Sequence, residues 1–541
     1  MSDFQSSYLS YAETGRFTKI IIDYINKSDN LKDFYAHGAD ITGIQSAIGA
    51  RKKFNTNRAL LVDQIKKQYA AIDDSEAVKT NIDKLLLENN FTICTAHQPN
   101  IFTGHLYFIY KILHVIKLAD VLKEKMPECN FVPVFFMGSE DADLEELNHV
   151  VIDGKKYVWH TKQTGAVGRM KVDEALLKLI DEIGTRLSVE KYGGQMIDAL
   201  KNCFQKDSLR ESSGSTIAQS TFLFVHYLFK KYGLIVFLPD NDAFKKEMKD
   251  VFEDDIFKNI SSEIVNNTGE RLSVHYKVQA NPREINLFYL KDGIRNRIIF
   301  KHDKYFVDGT EMVFTKYELI KELTNYPGRF SPNVILRGLY QERVLPNIAF
   351  IGGGGEIAYW LELKDLFDHY GVPFPVLIVR NSFLLIEKRF DQLIQKLGAR
   401  PGDLFQQEDT VLNQVVKKHT LHRLDLDEEK FQFRQTFDAI EKLAKEVDVT
   451  LQQHIESLET KALKKIDTLE KKILRAEKRK FSDTKNQLSK IYSFLFPENN
   501  LQERTENFML FYSRWGNDFF DTLYKNSLTL EQQFCIIAEK E

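Results

Sequence analysis

Cysteine is scarce in this chain: there are four in 541 residues, at Cys94, Cys129, Cys203 and Cys535. They form no CxxC pair and have no zinc-ligand spacing, which excludes a cysteine-bound zinc motif. Buried, reduced thiols are expected, and Cys94, inside an expected strand, reads as a core residue rather than a nucleophile. Long apolar runs are also missing. None approaches the roughly 20 residues that span a bilayer. The start Met1-Ser2-Asp3-Phe4-Gln5 has no basic segment followed by an apolar one, so no secretory signal is read and a cytoplasmic location is expected. Charge of one sign is absent too. With Lys+Arg 74 and Asp+Glu 77 the net charge is −3, which gives no general attraction to nucleic acid or to an anionic membrane. What remains is 43% hydrophobic and 28% charged, the balance of a globular protein. A chain this long needs two or more cores.

Apolar runs at Phe91–Thr95, Phe131–Met137, Gly233–Pro239, Asn347–Ile351 and Val376–Val379 predict strands buried on both faces, as in a parallel sheet. Between the first two, Leu106, Ile109, Tyr110, Leu113 and Ile116 recur at helical spacing and predict a helix over 105–125, closing one β-loop-α-β unit. Lys291-Asp292-Gly293 between two apolar runs predicts a hairpin. Ser331-Pro332 reads as a helix start, Ser as N-cap and Pro at the first helical position. After about residue 385 the character changes. From Ile440 to Ala476 the apolar residues recur with a mean step of about 3.6, which predicts one long helix over 438–479 with slight supercoil. Its partner stripe is expected from 486–496 and 506–524 as an antiparallel return, with leftover apolar surface for a second copy of the chain.

In open parallel sheets, ligands bind beyond the carboxyl ends of the strands. Two polar stretches sit there: Thr95–Tyr107, holding His97, Gln98, Asn100, Thr103, Gly104, His105 and Tyr107, and Ser139–His149, holding Glu140, Asp141, Asp143, Asn148 and His149. Gly104 at a helix start lets a phosphate approach free backbone N–H groups, and histidines or Thr103 can donate to it. Phe102-Thr103-Gly104-His105 is similar to the xxGH signature of nucleotidylyltransferases and class I aminoacyl-tRNA synthetases, against the plainer reading that Thr103 caps the helix and His105 is solvated. The acidic run is either a solvated loop or a holder of Mg²⁺ or of a substrate ammonium. Gly353, Gly354 and Gly355 with Glu356 form either an anion cradle or a tight turn, and are not a Walker A loop. Asn333, Arg337 and Gln341 lie four residues apart on one helix face and can add charge-assisted bonds to an anion.

The blocks FTICTAHQPNIFTGHLYFIYK, FVPVFFMGSEDADLEELNHV, INLFYLKDG and RFSPNVILRGLYQERVLPNIAFIGGGGEIAYW, followed by the helical tail, together resemble the BshC family, the cysteine ligases of bacillithiol biosynthesis. The chain departs from that pattern at Ala96-His97-Gln98, where many members read Gly-Gln-Gln, and at Ala142, where many have His. The resemblance implies an α/β fold: a Rossmann-like parallel sheet core with connecting-peptide insertions (about 155–230 and 245–330) over residues 1–385, then a C-terminal α-helical antiparallel coiled coil over 386–541 that makes a homodimer. It implies a reaction joining the carboxyl of L-cysteine to the amine of glucosaminyl-malate, with no nucleic acid or membrane partner. ATP or ADP is the expected cofactor, with Mg possible, and the expected activated species is an adenylate. In that scheme Thr103, Gly104 and His105 hold the α-phosphate with His97 assisting, and Lys111 and Tyr107 line the nucleotide site. Glu140, Asp141 and Asp143 orient Mg²⁺ or the cysteine ammonium, and Asn148 and His149 orient substrate or accept the amine proton. Gly353–Gly355 with Arg337 cradle the malyl carboxylates or a phosphate. His105→Ala should then cost orders of magnitude in activity. Two alternatives stay open: a nucleotidylyltransferase acting on a sugar or small acid, and a dimeric scaffold that binds nucleotide without chemistry.

Overall fold

The five apolar runs form a single parallel sheet in the computed structural model, which describes residues 3–72, 75–205 and 215–540. Its strands are β1 (Asn90–His97), β2 (Asn130–Met137), β3 (Ile235–Phe237), β4 (Asn347–Gly352) and β5 (Val376–Val379). The spatial order is β3-β2-β1-β4-β5, with every neighbouring pair parallel. This is the Rossmann order, and its switch point lies between β1 and β4. Register brings the strand ends level: His97 stands opposite Met137, and Ile351 opposite Thr95. Beneath one face, Ile44, Ile48, Phe91, Ile93, Leu118, Leu122, Ile348 and Val376 belong to one packed apolar cluster.

Helix α1 (Leu106–Lys125) links β1 to β2. The sequence predicts one apolar stripe, but the helix is enveloped: Lys111 and His114 are buried along with the apolar residues. Part of the cover comes from residues far along the chain. His114 Nε2 lies 2.7 Å from the Thr529 carbonyl, and the Tyr524 hydroxyl donates to Asp120 at 2.6 Å.

Long segments separate β2 from β3 and β3 from β4, where the insertions are expected; of the first, residues 206–214 lie outside the described residues. The second carries the predicted hairpin. Leu287–Lys291 pairs antiparallel with Ile294–Lys301 across Asp292-Gly293, with Gly293 at φ +71°. One expectation fails here. Ser331 and Pro332 do not start a helix; Phe330–Pro332 pairs antiparallel with Leu287–Tyr289 as an edge strand, a position where proline's missing N–H does no harm. Helix α2 (Val334–Val344) begins two residues later, capped by Asn333, whose side chain accepts from the Ile335 N–H. Helix α3 (Gly354–Leu361) follows β4 directly.

The chain divides into two compact units, residues 1–385 with 500–537, and residues 386–499 with 538–540. Residues 500–537, beyond the boundary expected at 385, belong to the first unit. Within the second unit, α4 (Asp427–Val447) and α5 (Leu451–Lys478) form an antiparallel hairpin: Lys430, near the start of α4, meets Asp467 at 2.7 Å and Glu470 at 2.5 Å, near the end of α5. The one long helix expected over 438–479 is thus broken. Asp448 accepts from both the N–H and the hydroxyl of Thr450, each at 2.8 Å, a local bond that competes with helix in Val-Asp-Val-Thr. The expected return by 506–524 does not occur; α4 takes that place. Helix α6 (Ser482–Leu495) packs instead against the helix Glu408–His419.

Candidate functional site

The carboxyl ends of β1, β2 and β4 open onto a cavity of about 480 Å³, within the size range of small-molecule sites. Twelve of the sequence-predicted residues line it: His97, Gln98, Tyr107, Lys111, Glu140, Asp141, Asn333, Arg337, Gly353, Gly354, Gly355 and Glu356. Eight do not: Asn100, Thr103, Gly104, His105, Asp143, Asn148, His149 and Gln341.

Those eight have other partners or placements. Phe102, Thr103 and Gly104 all have positive φ (+52°, +70° and +64°), a strained run for a β-branched residue. Asn507 clamps this turn, its amide donating to the Phe102 carbonyl at 3.1 Å and to the Gly104 carbonyl. The Leu106 N–H, expected to face a phosphate, donates to the Glu506 carbonyl at 2.8 Å. His105 Nδ1 lies 3.0 Å from the Thr505 carbonyl. The segment Gln502–Asn507 therefore seals the first turn of α1. Thr103 and Asn100 are buried, and a Cβ on Gly104 would meet Asn100 Cβ at 2.9 Å. Asp143 caps a short helix by accepting from the Glu146 N–H at 3.2 Å. His149 Nδ1 turns to the Glu145 carbonyl at 3.1 Å, and the Asn148 carbonyl accepts from Trp159 at 2.7 Å. Gln341 donates to Glu342 at 2.9 Å, beside the buried Arg51–Glu342 pair.

The cavity has two chemically different sides. On the β4 side the Glu356 carboxylate accepts from the Gly353 N–H at 2.8 Å and pairs with buried Lys111, whose ammonium also donates to the Ala96 carbonyl at 3.0 Å. Arg337 donates to the Tyr359 hydroxyl at 2.6 Å and forms no salt bridge among the described residues, although the Glu356 carboxylate lies near enough to attract it. Arg380, at the end of β5, pairs with Glu503 at 2.7 Å, both side chains nearly inaccessible, and lies 5.1 Å above the Tyr107 ring. Arg504 also lines the cavity, near Tyr107.

On the β2 side stand Glu140, Asp141 and Glu146. Glu140 pairs with Lys245, which lies 3.7 Å from Asp240, and Asp240 takes a two-pronged bond from Arg169, 2.7 Å at each contact. Burial raises the Asp240 carboxyl, but Arg169 and Lys245 outweigh it and hold the pKa at about 2. Asp141 accepts from Gln98 at 3.2 Å and has no salt-bridge partner among the described residues, although the Arg295 guanidinium lies near enough to attract it. Glu146 has no salt-bridge partner among them either, and burial, with Asp141 and Asp143 near, pushes its carboxyl up. Arg295 reaches the lining from the antiparallel sheet, its Nε donating to Ser331 at 3.1 Å.

His97 sits at the cavity floor with Nε2 buried and unpartnered. Burial, helped by Lys111, pushes its imidazole well below the usual range, so it is neutral at physiological pH. Burial likewise raises the Tyr107 phenol to about 12.

Sequence reasoning missed Arg295, Tyr359, Arg380 and Arg504. Arg380 had a signal, since it directly follows an expected strand end. Arg504 and Arg295 had none in their local pattern.

A parallel sheet in Rossmann order, with a polar cavity at its switch point, defines the class: a Rossmann-like α/β protein whose cavity lies where open parallel sheets take small ligands. Family comparison narrows this. The model described as "Bacillithiol biosynthesis BshC, N-terminal Rossmann-like domain" matches residues 4–381, and "Bacillithiol biosynthesis BshC, C-terminal coiled-coil domain" matches residues 383–539. The chain belongs to the BshC family of bacillithiol biosynthesis. Relatives named "Putative cysteine ligase BshC" include one from Flavobacterium johnsoniae, 39% identical over 98% of this chain and 99% of its own length. Others come from Christiangramia forsetii, 38% identical over 98% of both chains, and Cytophaga hutchinsonii, 37% identical over 94% of this chain and 95% of its own.

Proposed function

We propose that this chain is a cysteine ligase that joins the carboxyl of L-cysteine to the amine of glucosaminyl-malate, forming bacillithiol. The observation that carries the reading is the two-sided cavity. Among the described residues Arg337, on the β4 side, and Arg504 form no salt bridge, and neither do Asp141 and Glu146 on the β2 side, while Glu356 attracts Arg337 and Arg295 attracts Asp141. Such a site orients a molecule, or a pair of molecules, carrying anionic groups at one end and an amine at the other.

A carboxylate does not condense with an amine unless its oxygen becomes a leaving group, and a bound nucleoside triphosphate supplies that activation. The residues fit an anion of this kind: Gly353–Gly355 at the start of α3, Arg337, and the unpartnered His97 Nε2 converge on the cavity. The apolar wall of Phe136, Pro239, Pro332 and Tyr340 suits a base or sugar ring. Among the described residues no three His, Cys, Asp or Glu side chains converge as metal ligands, and Glu140 is already paired with Lys245. A nucleotide-borne Mg²⁺ would meet Asp141 and Glu146. Those carboxylates would also hold the substrate ammonium, and either can accept the proton it must lose before the free amine attacks. His97, kept neutral, donates or accepts a hydrogen bond at the reacting centre without adding charge.

The test is turnover followed by mass spectrometry: purified protein with glucosaminyl-malate, L-cysteine, ATP and Mg²⁺. Bacillithiol with AMP marks activation at the α-phosphorus, and bacillithiol with ADP marks an acyl-phosphate route. Nucleotide transfer that needs no cysteine would replace the ligase with a nucleotidylyltransferase.

The second unit supports a homodimer. Phe431, Leu443, Val447, Leu458 and Leu469 are exposed on its α4–α5 hairpin, more apolar side chains than a free surface hairpin keeps. Changing Leu443, Leu458 and Leu469 to Glu should give monomer in light scattering; an unchanged dimer would place the interface elsewhere.

A further inference from the structure

The Arg337–Tyr359 contact has a direction. A guanidinium only donates, so the Tyr359 oxygen is the acceptor in their 2.6 Å bond. The hydroxyl proton must therefore point elsewhere, and it makes no hydrogen bond to a described residue. Tyr359 itself lines the cavity, beside Gly353–Gly355 and Arg337. The nearby Glu356 carboxylate is already held by Lys111 and by the Gly353 N–H.

We infer that Arg337 and Tyr359 act as one donor pair, in which Tyr359 is a substrate-binding residue that donates its hydroxyl proton to a carboxylate oxygen of the malyl group. The inference rests on the ligase reading for the identity of the anion, but not for the direction of the bond. Because both groups present donors, the subsite accepts a fully ionised oxygen and disfavours a hydroxyl, ester or amine in its place. Arg337 also keeps Tyr359 from turning its lone pairs to the ligand, so the discrimination is built into the pair rather than into either residue alone.

The experiment is calorimetric titration of full-length wild type and Tyr359→Phe with L-malate and, as a neutral control, dimethyl L-malate. Thermal unfolding of both proteins confirms that the variant keeps its fold. The expected result is a loss of about tenfold or more in L-malate affinity in the variant, with the weak binding of the ester unchanged. Arg337→Lys, which keeps the charge but loses the fork, should lose the acid-over-ester preference as well. Equal L-malate affinity in wild type and Tyr359→Phe overturns the inference, as does an equal loss for acid and ester. If wild type binds inorganic phosphate but not L-malate, and Tyr359→Phe loses that binding, the donor pair stands and the malyl assignment falls. Binding of neither anion by wild type overturns the inference. The ligase reading is judged separately, by bacillithiol formation in the wild type.

Discussion

Two strand-to-helix turns leave neighbouring strands of one sheet, and they have opposite fates. The turn after β1 carries Thr103, Gly104 and His105; the turn after β4 carries Gly353, Gly354 and Gly355. The first has the more reactive residues and the helix start that resembles a nucleotide motif, yet Gln502–Asn507 covers it and its Leu106 N–H is taken by Glu506. The second has only glycines and a glutamate, yet it faces the cavity beside Arg337. A helix start binds a ligand only if no other segment satisfies it first. Motif chemistry names a candidate; the packing around it decides whether it is open.

The largest expected effect comes from removing the anchor of the covering segment. Arg380→Met leaves the Glu503 carboxylate buried without its cation and should cost about 3–5 kcal/mol of stability in urea unfolding. A loss below about 1 kcal/mol would show that Ser382 and the Phe383 N–H, at 3.1 and 3.2 Å from Glu503, hold that carboxylate unaided. Next is the contrast in activity. Arg337→Ala should lower kcat/KM by about 100-fold or more, whereas His105→Ala should cost less than about tenfold, since His105 meets a carbonyl outside the cavity. The reverse order would make the covered turn the reacting one.

The two turns should also differ in their tolerance of a methyl group. Gly104→Ala, at φ +64° and against Asn100, should destabilise by about 1–3 kcal/mol. Gly355→Ala, with nothing within 4 Å of its Cβ and no positive φ, should stay within about 0.5 kcal/mol. The last effect is read per pH unit and belongs to Glu506. Burial raises its carboxyl from 4.5 to about 8, so between those values the folded chain holds a proton that the unfolded chain has released. Stability therefore falls as pH rises through that window, by at most about 1.4 kcal/mol per unit, and levels off above it. Glu506→Gln keeps an acceptor for the Asp153 and Asn507 N–H groups and should flatten that slope. An unchanged slope would mean that the carboxyl titrates normally.

The local pattern alone determined a good deal of this protein. Five apolar runs specified five parallel strands, because a strand covered on both faces must be apolar throughout. Asp292-Gly293 specified its hairpin, and the strand ends located the cavity through His97, Lys111, Asp141, Arg337 and Gly353. Asp448 could have been read as a break in the long helix, since its side chain competes locally for the backbone. Tertiary structure alone decided that residues 500–537 return to the first unit, that Glu506 and Asn507 close the Thr103–His105 turn some 400 positions earlier in the chain, and that Arg295 and Arg504 reach the cavity. The physical reason is range. Periodicity and turn chemistry act over a few residues and leave a trace in composition, whereas a contact between distant segments depends on which surfaces the fold has left uncovered, and no local pattern records that.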